Sequence, residues 1–400
     1  MRRTVVRGLS LTVILAVAAG SCLGQTPTSG LQRQTAIALE QEGRTAEAEA
    51  AWRALLNVQP ANPEAYAHIG FLEARQQHYL QAIPFYRKAL ALDPAMPALR
   101  MNLGLALFKA GELKQAIQIF EPLLKNQPPS SADAQRLTIL LGLAHYGLDE
   151  YAEAVPYLKR ATASDPKNLP FRLVLAHSCL GSKQYQCVLN VYREILMLNA
   201  ESAEADMLAG EALDEMQDHA GATQQFRAAA KANPHEPNVH FGLGYLLWTQ
   251  GQYEGAAREF QAELANVPKN AQALAYLADA NVKMNHSAAA LPLAKKALRI
   301  DPQMELAHLD LGILYANAGR RDDALRELKV AAKLNPKDVK VHWRMARLYQ
   351  VMGRKTEANI EFQKTSSLTK SADDTVFNQL NNSRAKNRSS DTAAGAPVGR

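Results

Sequence analysis

Prolines recur along this chain with a constant period of 34. The series, with one offset of four residues after its third member, is Pro60, Pro94, Pro128, Pro166, Pro234, Pro268, Pro302 and Pro336. Proline ends helices because it lacks a backbone N–H and clashes with the preceding turn. A helix end that returns at this constant spacing indicates that one small structural unit is repeated along most of the chain.

Small and large residues keep fixed places within this unit. With the proline at position 32, position 8 is glycine or alanine in all ten units, and position 20 is alanine in nine of them. Position 24 is mostly large, as in Trp52, Tyr86 and Phe120. Because two helices approach closely only where neither carries bulk, positions 8 and 20 predict the contact point of a helix pair. Position 15 favours a turn between the two helices, since a helix C-terminus prefers a left-handed residue. Glycine occupies it at Gly43, Gly111, Gly251, Gly319 and Gly353.

These residues resemble the tetratricopeptide repeat (TPR) family. The best-matching unit is 63–96, with Tyr66, Ile69, Gly70, Tyr79, Ala82, Tyr86, Ala89 and Pro94. The resemblance implies an all-α fold, a right-handed superhelical solenoid of about ten antiparallel helix pairs whose first helices line a concave groove. The predicted repeats are 29–62, 63–96, 97–130, 135–168, 169–202, 203–236, 237–270, 271–304, 305–338 and 339–372. The four extra residues 131–134 predict a longer connection between two repeats. A short capping helix is expected at 373–384 and a disordered tail at 385–400.

The segment 1–24 has the pattern of an export signal. Arg2, Arg3 and Arg7 precede an apolar run of about a dozen residues, shorter than the ~20 that span a bilayer. Cleavage after Gly24 predicts a periplasmic or secreted protein with no membrane span. Alternatively, Cys22 follows small residues as in a bacterial lipobox, which would make it a lipidation site on an envelope-anchored lipoprotein. Ala19 stands where such a motif usually has leucine, which favours the first interpretation.

Charge and motifs argue against nucleic-acid binding and against catalysis. Half of the net charge of +6 comes from the three N-terminal arginines, and no basic face appears elsewhere. No zinc-protease, phosphate-loop or nucleophile-elbow motif occurs, so we expect no enzyme and no cofactor. His240, His308 and His342 occur once per repeat at position 4, which favours packing over metal binding. Cys179 and Cys187, eight residues apart, could form a disulfide in an oxidising compartment, but buried free thiols are the favoured interpretation.

The remaining function is recognition of a partner by the groove. Phe241, Tyr245 and Trp248 share one helix face, because their spacing is i, i+4, i+7. They predict a binding surface, although they could instead fill contacts between neighbouring first helices. The predicted peptide-binding residues are Phe108, Leu143, Tyr146, Phe241, Tyr245, Trp248, Tyr276, Trp343, Arg344 and Arg347.

One peptide-binding pattern of the family is incomplete in this sequence. Chaperone-binding members hold a C-terminal carboxylate with lysine, arginine and asparagine side chains at fixed positions of three successive repeats. Lys340 and Arg344 match that pattern, whereas Ala275, Asp279 and Asp310 do not. The sequence therefore predicts an exported scaffold that binds protein or peptide partners by other means. The alternative is a structural component or assembly factor of a cell-envelope or secretion complex.

Overall fold

A computed structural model describes residues 27–198 and 201–370 of the chain. In these residues the backbone forms helices joined by short turns, without strands. The helices are α1 (Pro27–Gln41), α2 (Thr45–Val58), α3 (Pro63–Arg75), α4 (Tyr79–Leu92), α5 (Pro97–Lys109), α6 (Leu113–Lys125), α7 (Ala132–Gly147), α8 (Tyr151–Ser164), α9 (Leu169–Gly181), α10 (Tyr185–Met197), α11 (Ala203–Glu215), α12 (His219–Ala232), α13 (Val239–Thr249), α14 (Tyr253–Asn266), α15 (Ala271–Lys283), α16 (Ser287–Ile300), α17 (Glu305–Asn317), α18 (Arg321–Leu334) and α19 (Val339–Val351). A further helix, α20, covers 355–370.

Odd-numbered helices are the first helices of the repeats and even-numbered helices are the second. The predicted all-α repeat fold is thereby confirmed. The predicted export signal with Cys22, the capping helix 373–384 and the tail 385–400 lie outside the described residues. No helix within 27–198 or 201–370 has both the length and the hydrophobicity needed to cross a bilayer.

The glycines at position 8 have the same surroundings in different repeats. A Cβ atom added to Gly70 would lie 2.8 Å from the ring of Tyr86, and one added to Gly244 would lie 2.8 Å from the ring of Phe260. The equivalent Cβ at Gly104 would overlap the ring of Phe120. In each case the aromatic side chain at position 24 occupies the space that the glycine leaves open. The predicted contact between the two helices of a repeat is confirmed.

The turn between the first and second helix has one conformation throughout. Position 15 has a φ between 59° and 83° in every repeat of the described chain. Five of these residues are the predicted glycines, and the other five are Gln77, Asp149, Lys183, Gln217 and Asn285. Both types make the same hydrogen bonds: Arg44 N–H donates to Leu39 O at 2.9 Å, and Glu150 N–H to His145 O at 3.0 Å. A left-handed residue at this position satisfies the last carbonyls of the first helix, whichever side chain it carries.

Polar side chains begin several of the first helices. The residues whose side chains accept a backbone N–H of the first turn are Asn62, Ser131, Asn168, Ser202, Asn270 and Asp338. The predicted longer connection is confirmed, because six residues, 126–131, lie between α6 and α7, where most connections between repeats have four. Ser131 caps α7, which begins at Ala132 and has 16 residues where most other first helices have 13, so the extra residues also lengthen this helix. Asp133 near its start adds a favourable charge at the helix N-terminus.

The chain divides into two compact units, an N-terminal unit that ends at Asp218 and a C-terminal unit that begins at His219. Each has a core of its own. In the N-terminal unit, Tyr86, Phe120 and Leu158 belong to one continuous cluster of buried side chains. In the C-terminal unit, Leu274 and Leu328 belong to another.

The structure also corrects the prediction of two free thiols. Cys179 of α9 and Cys187 of α10 form a disulfide, with their Cα atoms 5.8 Å apart. Cys179 is buried and Cys187 is half-buried. The turn at Lys183 reverses the chain between them, which brings the end of α9 beside the start of α10. That proximity meets the distance condition for a disulfide, which sequence spacing alone did not reveal.

Candidate peptide-binding cleft

Three of the predicted groove residues lie in the N-terminal unit, and two of them are buried. Phe108 is 2% exposed and Leu143 is 4% exposed, and both belong to the hydrophobic core. Tyr146 is half-buried, with its ring centroid 6.0 Å from that of Tyr151 and 6.4 Å from that of His177. Because buried side chains do not present a surface to a ligand, we leave Phe108 and Leu143 out of the candidate site.

In the C-terminal unit, four predicted aromatic residues converge. Phe241, Tyr245 and Trp248 of α13 surround Tyr276 of α15, at centroid distances of 5.8, 5.5 and 5.1 Å with edge-to-face geometry. Such arrangements are favourable because the positive edge of one ring meets the negative face of another. All four side chains are half-buried. They therefore fill the contact between neighbouring first helices and also present part of each ring to solvent.

Beside this aromatic cluster lies a cleft of about 420 Å³. Its walls come from the first helices of four successive repeats, α13, α15, α17 and α19, with Thr365 of α20 at one side. The apolar lining consists of Trp248, Tyr276, Leu306, Leu309, Ile313, Val339 and Trp343. Trp343 is 42% exposed, and the guanidinium carbons of Arg344 and Arg347 lie 5.2 and 5.8 Å from its ring centroid. The cleft thus brings together Trp248, Tyr276, Trp343 and Arg344 of the predicted set.

The floor of the cleft is acidic. Asp279 of α15 is only 2% exposed, and its Oδ2 accepts a hydrogen bond of 2.6 Å from the indole Nε1–H of Trp248. One helical turn further along α15, Lys283 places its Nζ 3.8 Å from Asp279 Oδ1. Glu305, at the start of α17, also lines the cleft. Asp310 is on the same helix, three and four residues from the lining residues Ile313 and Leu306, and therefore lies on their face of α17.

Burial and neighbouring negative charges make two carboxyl groups of this region hard to ionise. Burial, together with the negative charge of Asp338, raises the pKa of Glu305 to about 7. Asp310 is fully buried, and this burial together with the neighbouring Asp279 raises its pKa well above the ordinary value. Burial likewise raises the pKa of the Tyr276 hydroxyl. Glu305 therefore takes up or releases a proton near neutral pH.

The acidic floor was not among the sites predicted from the sequence. Asp279 occupies position 9 of its repeat and Asp310 occupies position 6 of the next, and both positions face the groove in the TPR family. From the sequence, these two aspartates only showed that the carboxylate-binding pattern of chaperone-binding TPR proteins is incomplete in this chain. Carboxylates at groove positions of consecutive repeats could have indicated an acidic site from the sequence. Glu305 lies at position 1 of its repeat, and its position in the sequence does not indicate that it lines the cleft.

The histidines at position 4 form a separate, structural set. In each of three repeats the Nδ1 of the histidine lies 2.6–2.7 Å from a glutamate of the second helix, 19 residues later. The pairs are His240–Glu259, His308–Glu327 and His342–Glu361. His342 is buried and the other two are half-buried, so their predicted packing role is confirmed. Among the described residues, no three His, Cys, Asp or Glu side chains converge as a metal ion requires.

Comparison with known proteins gives a consistent family assignment. Three family models, each described as tetratricopeptide repeat, match residues 73–138 and 282–342, residues 33–97 and 241–305, and residues 136–168. Together these matches cover more than half of the chain.

Several curated proteins are similar over most of the chain. The protein CTR9 homolog of Arabidopsis thaliana is 22% identical over 313 residues, which is 75% of this chain and 28% of that protein. The DnaJ protein P58IPK homolog A of Oryza sativa subsp. japonica is 22% identical over 303 residues, 72% of this chain and 58% of that protein. The cellulose synthase operon protein C of Pseudomonas fluorescens is 23% identical over 314 residues, 72% and 24% respectively. The chain thus spans between about a quarter and just over half of the length of these relatives.

Similar solved structures include the APC/C hetero-tetramer Cut9–Hcn1, with a TM-score of 0.46 and 16% identity over 76% of this chain and 59% of that one. Another is YrrB, described as a TPR protein with an unusual peptide-binding site, with a TM-score of 0.37 and 18% identity over 44% and 91%. The family matches coincide with the regular helix pairs and with the glycine–aromatic contacts described above. The chain therefore belongs to the tetratricopeptide repeat family.

Proposed function

We propose that this protein is a non-catalytic scaffold that binds a protein or peptide partner in the cleft of its C-terminal unit. The observation that supports this most is the convergence of three aromatic side chains, Trp248, Tyr276 and Trp343, on one cleft. Its volume of about 420 Å³ lies within the ~300–1,000 Å³ typical of ligand sites. Large aromatic side chains supply much of the binding energy of protein interfaces. The four first helices that form the walls would let an extended peptide cross several repeats.

Trp343 is the residue that tests the proposal most directly. It is the most exposed aromatic side chain of the cleft, so its replacement should disturb the fold little. A random-sequence peptide library is selected against the full chain, and the affinity of the selected peptides is measured by fluorescence anisotropy. We expect Trp343→Ala to weaken binding by about 30-fold, which corresponds to the ~2 kcal/mol of a strong interface residue.

The matched control is Val330→Ala. Val330 is also exposed but lies on the second helix α18, away from the cleft lining. We expect this variant to bind as the wild type does, and thermal melting checks that both variants are folded. Equal affinity of Trp343→Ala and Val330→Ala would refute a binding role for the cleft.

The proposal includes export from the cytoplasm. Two observations support it: the signal-like pattern of the segment 1–24, and the disulfide between Cys179 and Cys187. Disulfides persist mainly in oxidising compartments such as the periplasm or the extracellular space. The mass of the N-terminal peptide from the native cell provides the test. A chain that begins at Gln25 would support a periplasmic or secreted scaffold, and an acylated Cys22 would support the envelope-anchored alternative. A chain that retains Met1 and Arg2 would refute both.

A further inference from the structure

We propose that the cleft recognises a basic side chain of its partner, a lysine or an arginine, which binds the carboxyl groups of Asp279 and Glu305 beside the rings of Trp248 and Tyr276. This inference rests on the proposed peptide-binding function and specifies the chemistry of the peptide. Four features of the cleft support it: a buried carboxyl oxygen of Glu305 without a hydrogen-bond partner, a local group of acidic side chains, fixed aromatic rings and an aspartate at a carboxylate-binding position of the family.

The first feature is a buried acceptor atom that receives no hydrogen bond. Oε1 of Glu305, which lines the cleft, is buried without a hydrogen-bond partner among the described residues. Leaving a buried polar atom in this state is unfavourable. An ammonium or guanidinium group carries several N–H donors and would satisfy this oxygen.

The second feature is the balance of charge on the floor. The negative charges of Asp279 and Glu305 lie close enough to Asp310 to oppose its ionisation. Lys283 is the cation beside them, and its Nζ lies 3.8 Å from Asp279 Oδ1, beyond hydrogen-bonding distance. Its side chain is 35% exposed, so it can move aside towards solvent. The cleft lining holds three acidic side chains, Asp279, Glu305 and Asp338, and three basic ones, Lys283, Lys340 and Arg344, so a cation of the partner would bind at the acidic group beside Trp248 and Tyr276.

The third feature is the position of the aromatic rings. The indole N–H of Trp248 donates to Asp279 Oδ2, which fixes the indole ring against the acidic floor. The ring of Tyr276 meets it edge to face at 5.1 Å. A cation near the face of either ring is attracted further by the negative face of the ring. Acid and aromatic groups together favour a cationic side chain over a neutral one.

The fourth feature distinguishes a basic ligand from an acidic one. TPR proteins of the chaperone-binding type place basic and amide side chains at groove positions 5 and 9 of one repeat and 6 of the next. Here position 9 holds Asp279, which would repel a carboxylate, and position 6 holds the buried Asp310. Lys340 lies near Glu305, and Arg344 also lines the cleft. The part of the cleft formed by Asp279 and Glu305, with Asp338 near Glu305, therefore favours a basic group of the ligand.

Peptides selected as described above provide the test. We expect every selected family to contain a lysine or an arginine. Replacing that residue in the synthetic peptide by norleucine, which keeps the length of a lysine side chain and removes its charge, should weaken binding about tenfold or more. In the protein, Glu305→Gln should weaken binding of the basic peptide. It should also reduce the difference in affinity between the basic peptide and the norleucine peptide. The matched control Glu254→Gln, on the exposed surface of α14, should change neither affinity.

The pH dependence of binding supplies a second measurement. Because the proton must leave Glu305 before it can pair with a cation, affinity for the basic peptide should rise between about pH 6 and pH 8. The groups that face Glu305 are Asp338, Lys340, His308 and Asp310. The rise should therefore be compared with that of Glu305→Gln, which we expect to be smaller, and with the norleucine peptide, which we expect to show little change.

The outcomes separate this inference from the proposed function. Selected peptides that depend on Trp343 but lack basic residues would overturn the inference and leave the function standing. The same holds for peptides that bind through a carboxylate and gain affinity when Glu305 is replaced by glutamine. If no peptide is selected, or if all selected peptides ignore Trp343→Ala, the proposed function itself fails.

Discussion

At the scale of single residues, the repeat depends on two kinds of glycine with different physical roles. Gly104 at position 8 leaves space for the ring of Phe120, so the side chain that glycine lacks is what matters there. Gly111 at position 15 has no neighbour within 4 Å of an added Cβ, but its φ is +83°. Its role is conformational, since residues with a Cβ rarely adopt positive φ. The same amino acid thus serves packing in one position and backbone geometry in the other.

Two alanine substitutions separate these roles. We expect Gly104→Ala to lower the free energy of unfolding by about 1–3 kcal/mol through overpacking. We expect Gly111→Ala to lower it by about 1 kcal/mol through the left-handed backbone. Urea denaturation of both variants measures the two losses. Combining Gly104→Ala with Phe120→Leu should recover part of the first loss, and Gly111→Asn should avoid most of the second. If Phe120→Leu makes Gly104→Ala no less costly, the packing explanation is wrong.

Glu305 predicts a pH dependence of stability. Its pKa in the folded protein is about 7, above the ordinary value of 4.5. The folded state therefore holds the proton over a range where the unfolded chain has lost it, so this group lowers stability as pH rises from about 4.5 to about 7. Glu305→Gln should remove that decline and stabilise the C-terminal unit at pH 8 by about 1 kcal/mol, a value reduced for solvent screening. Thermal melts at several pH values test this, and equal pH profiles of wild type and variant would contradict it.

At the scale of helices and turns, each repeat closes by a left-handed residue at position 15. Five turns achieve this without glycine, as at Gln77 and Lys183. The turn at Lys183 joins α9 to α10, and the disulfide between Cys179 and Cys187 spans it. The bridge restrains the one repeat in which position 20 is valine, Val188, and not alanine. A covalent link and a bulkier helix contact thus occur in the same helix pair.

The disulfide should stabilise this pair measurably. Loop-closure entropy for so short a loop gives an estimate of about 2–3 kcal/mol in the N-terminal unit. We expect Cys187→Ala to lower the melting temperature, and we expect a reductant to lower that of the wild type but not that of the variant. Thermal melts with and without reductant provide the measurement. A wild-type protein that melts at the same temperature under both conditions would exclude a stabilising role.

At the scale of the whole molecule, stability should be local, because each compact unit contains its own core. Repeat proteins gain stability from contacts between neighbouring repeats, so a change in one repeat acts mainly nearby. The three tryptophans of the chain suit a test: Trp52 is in the N-terminal unit, and Trp248 and Trp343 are in the C-terminal unit.

Fluorescence of variants with tryptophans in only one unit can follow each unit separately. In a protein with Trp248→Phe and Trp343→Phe, adding Gly104→Ala should shift the urea midpoint reported by Trp52 to lower concentration. With Trp52→Phe instead, the same substitution should shift the midpoint reported by Trp248 and Trp343 much less. Equal shifts for both sets of probes would show that the chain unfolds as one cooperative block.

The fold was predictable from the sequence because its information is periodic and local. Proline, glycine and alanine at a constant spacing specified where helices end and where they touch, and the structure has those contacts at Gly70, Gly104 and Gly244. The five turns without glycine were not predicted, since Gln77 or Lys183 carries no preference for positive φ. Free thiols were favoured over the disulfide, because the distance between the two Cα atoms depends on the turn between α9 and α10.

By itself, the sequence determined the identity of the repeating unit. The reason is that a small residue at position 8 packs against a side chain at position 24 of the same repeat, as at Gly70, Gly104 and Gly244. Only the tertiary structure decided which side chains of the first helices are exposed, burying Phe108 and Leu143 and leaving Trp343 open. It also decided that Trp248, Asp279 and Glu305, which belong to three successive repeats, share one cleft. The physical reason is that exposure and charge proximity depend on how successive repeats stack, which no single repeat encodes.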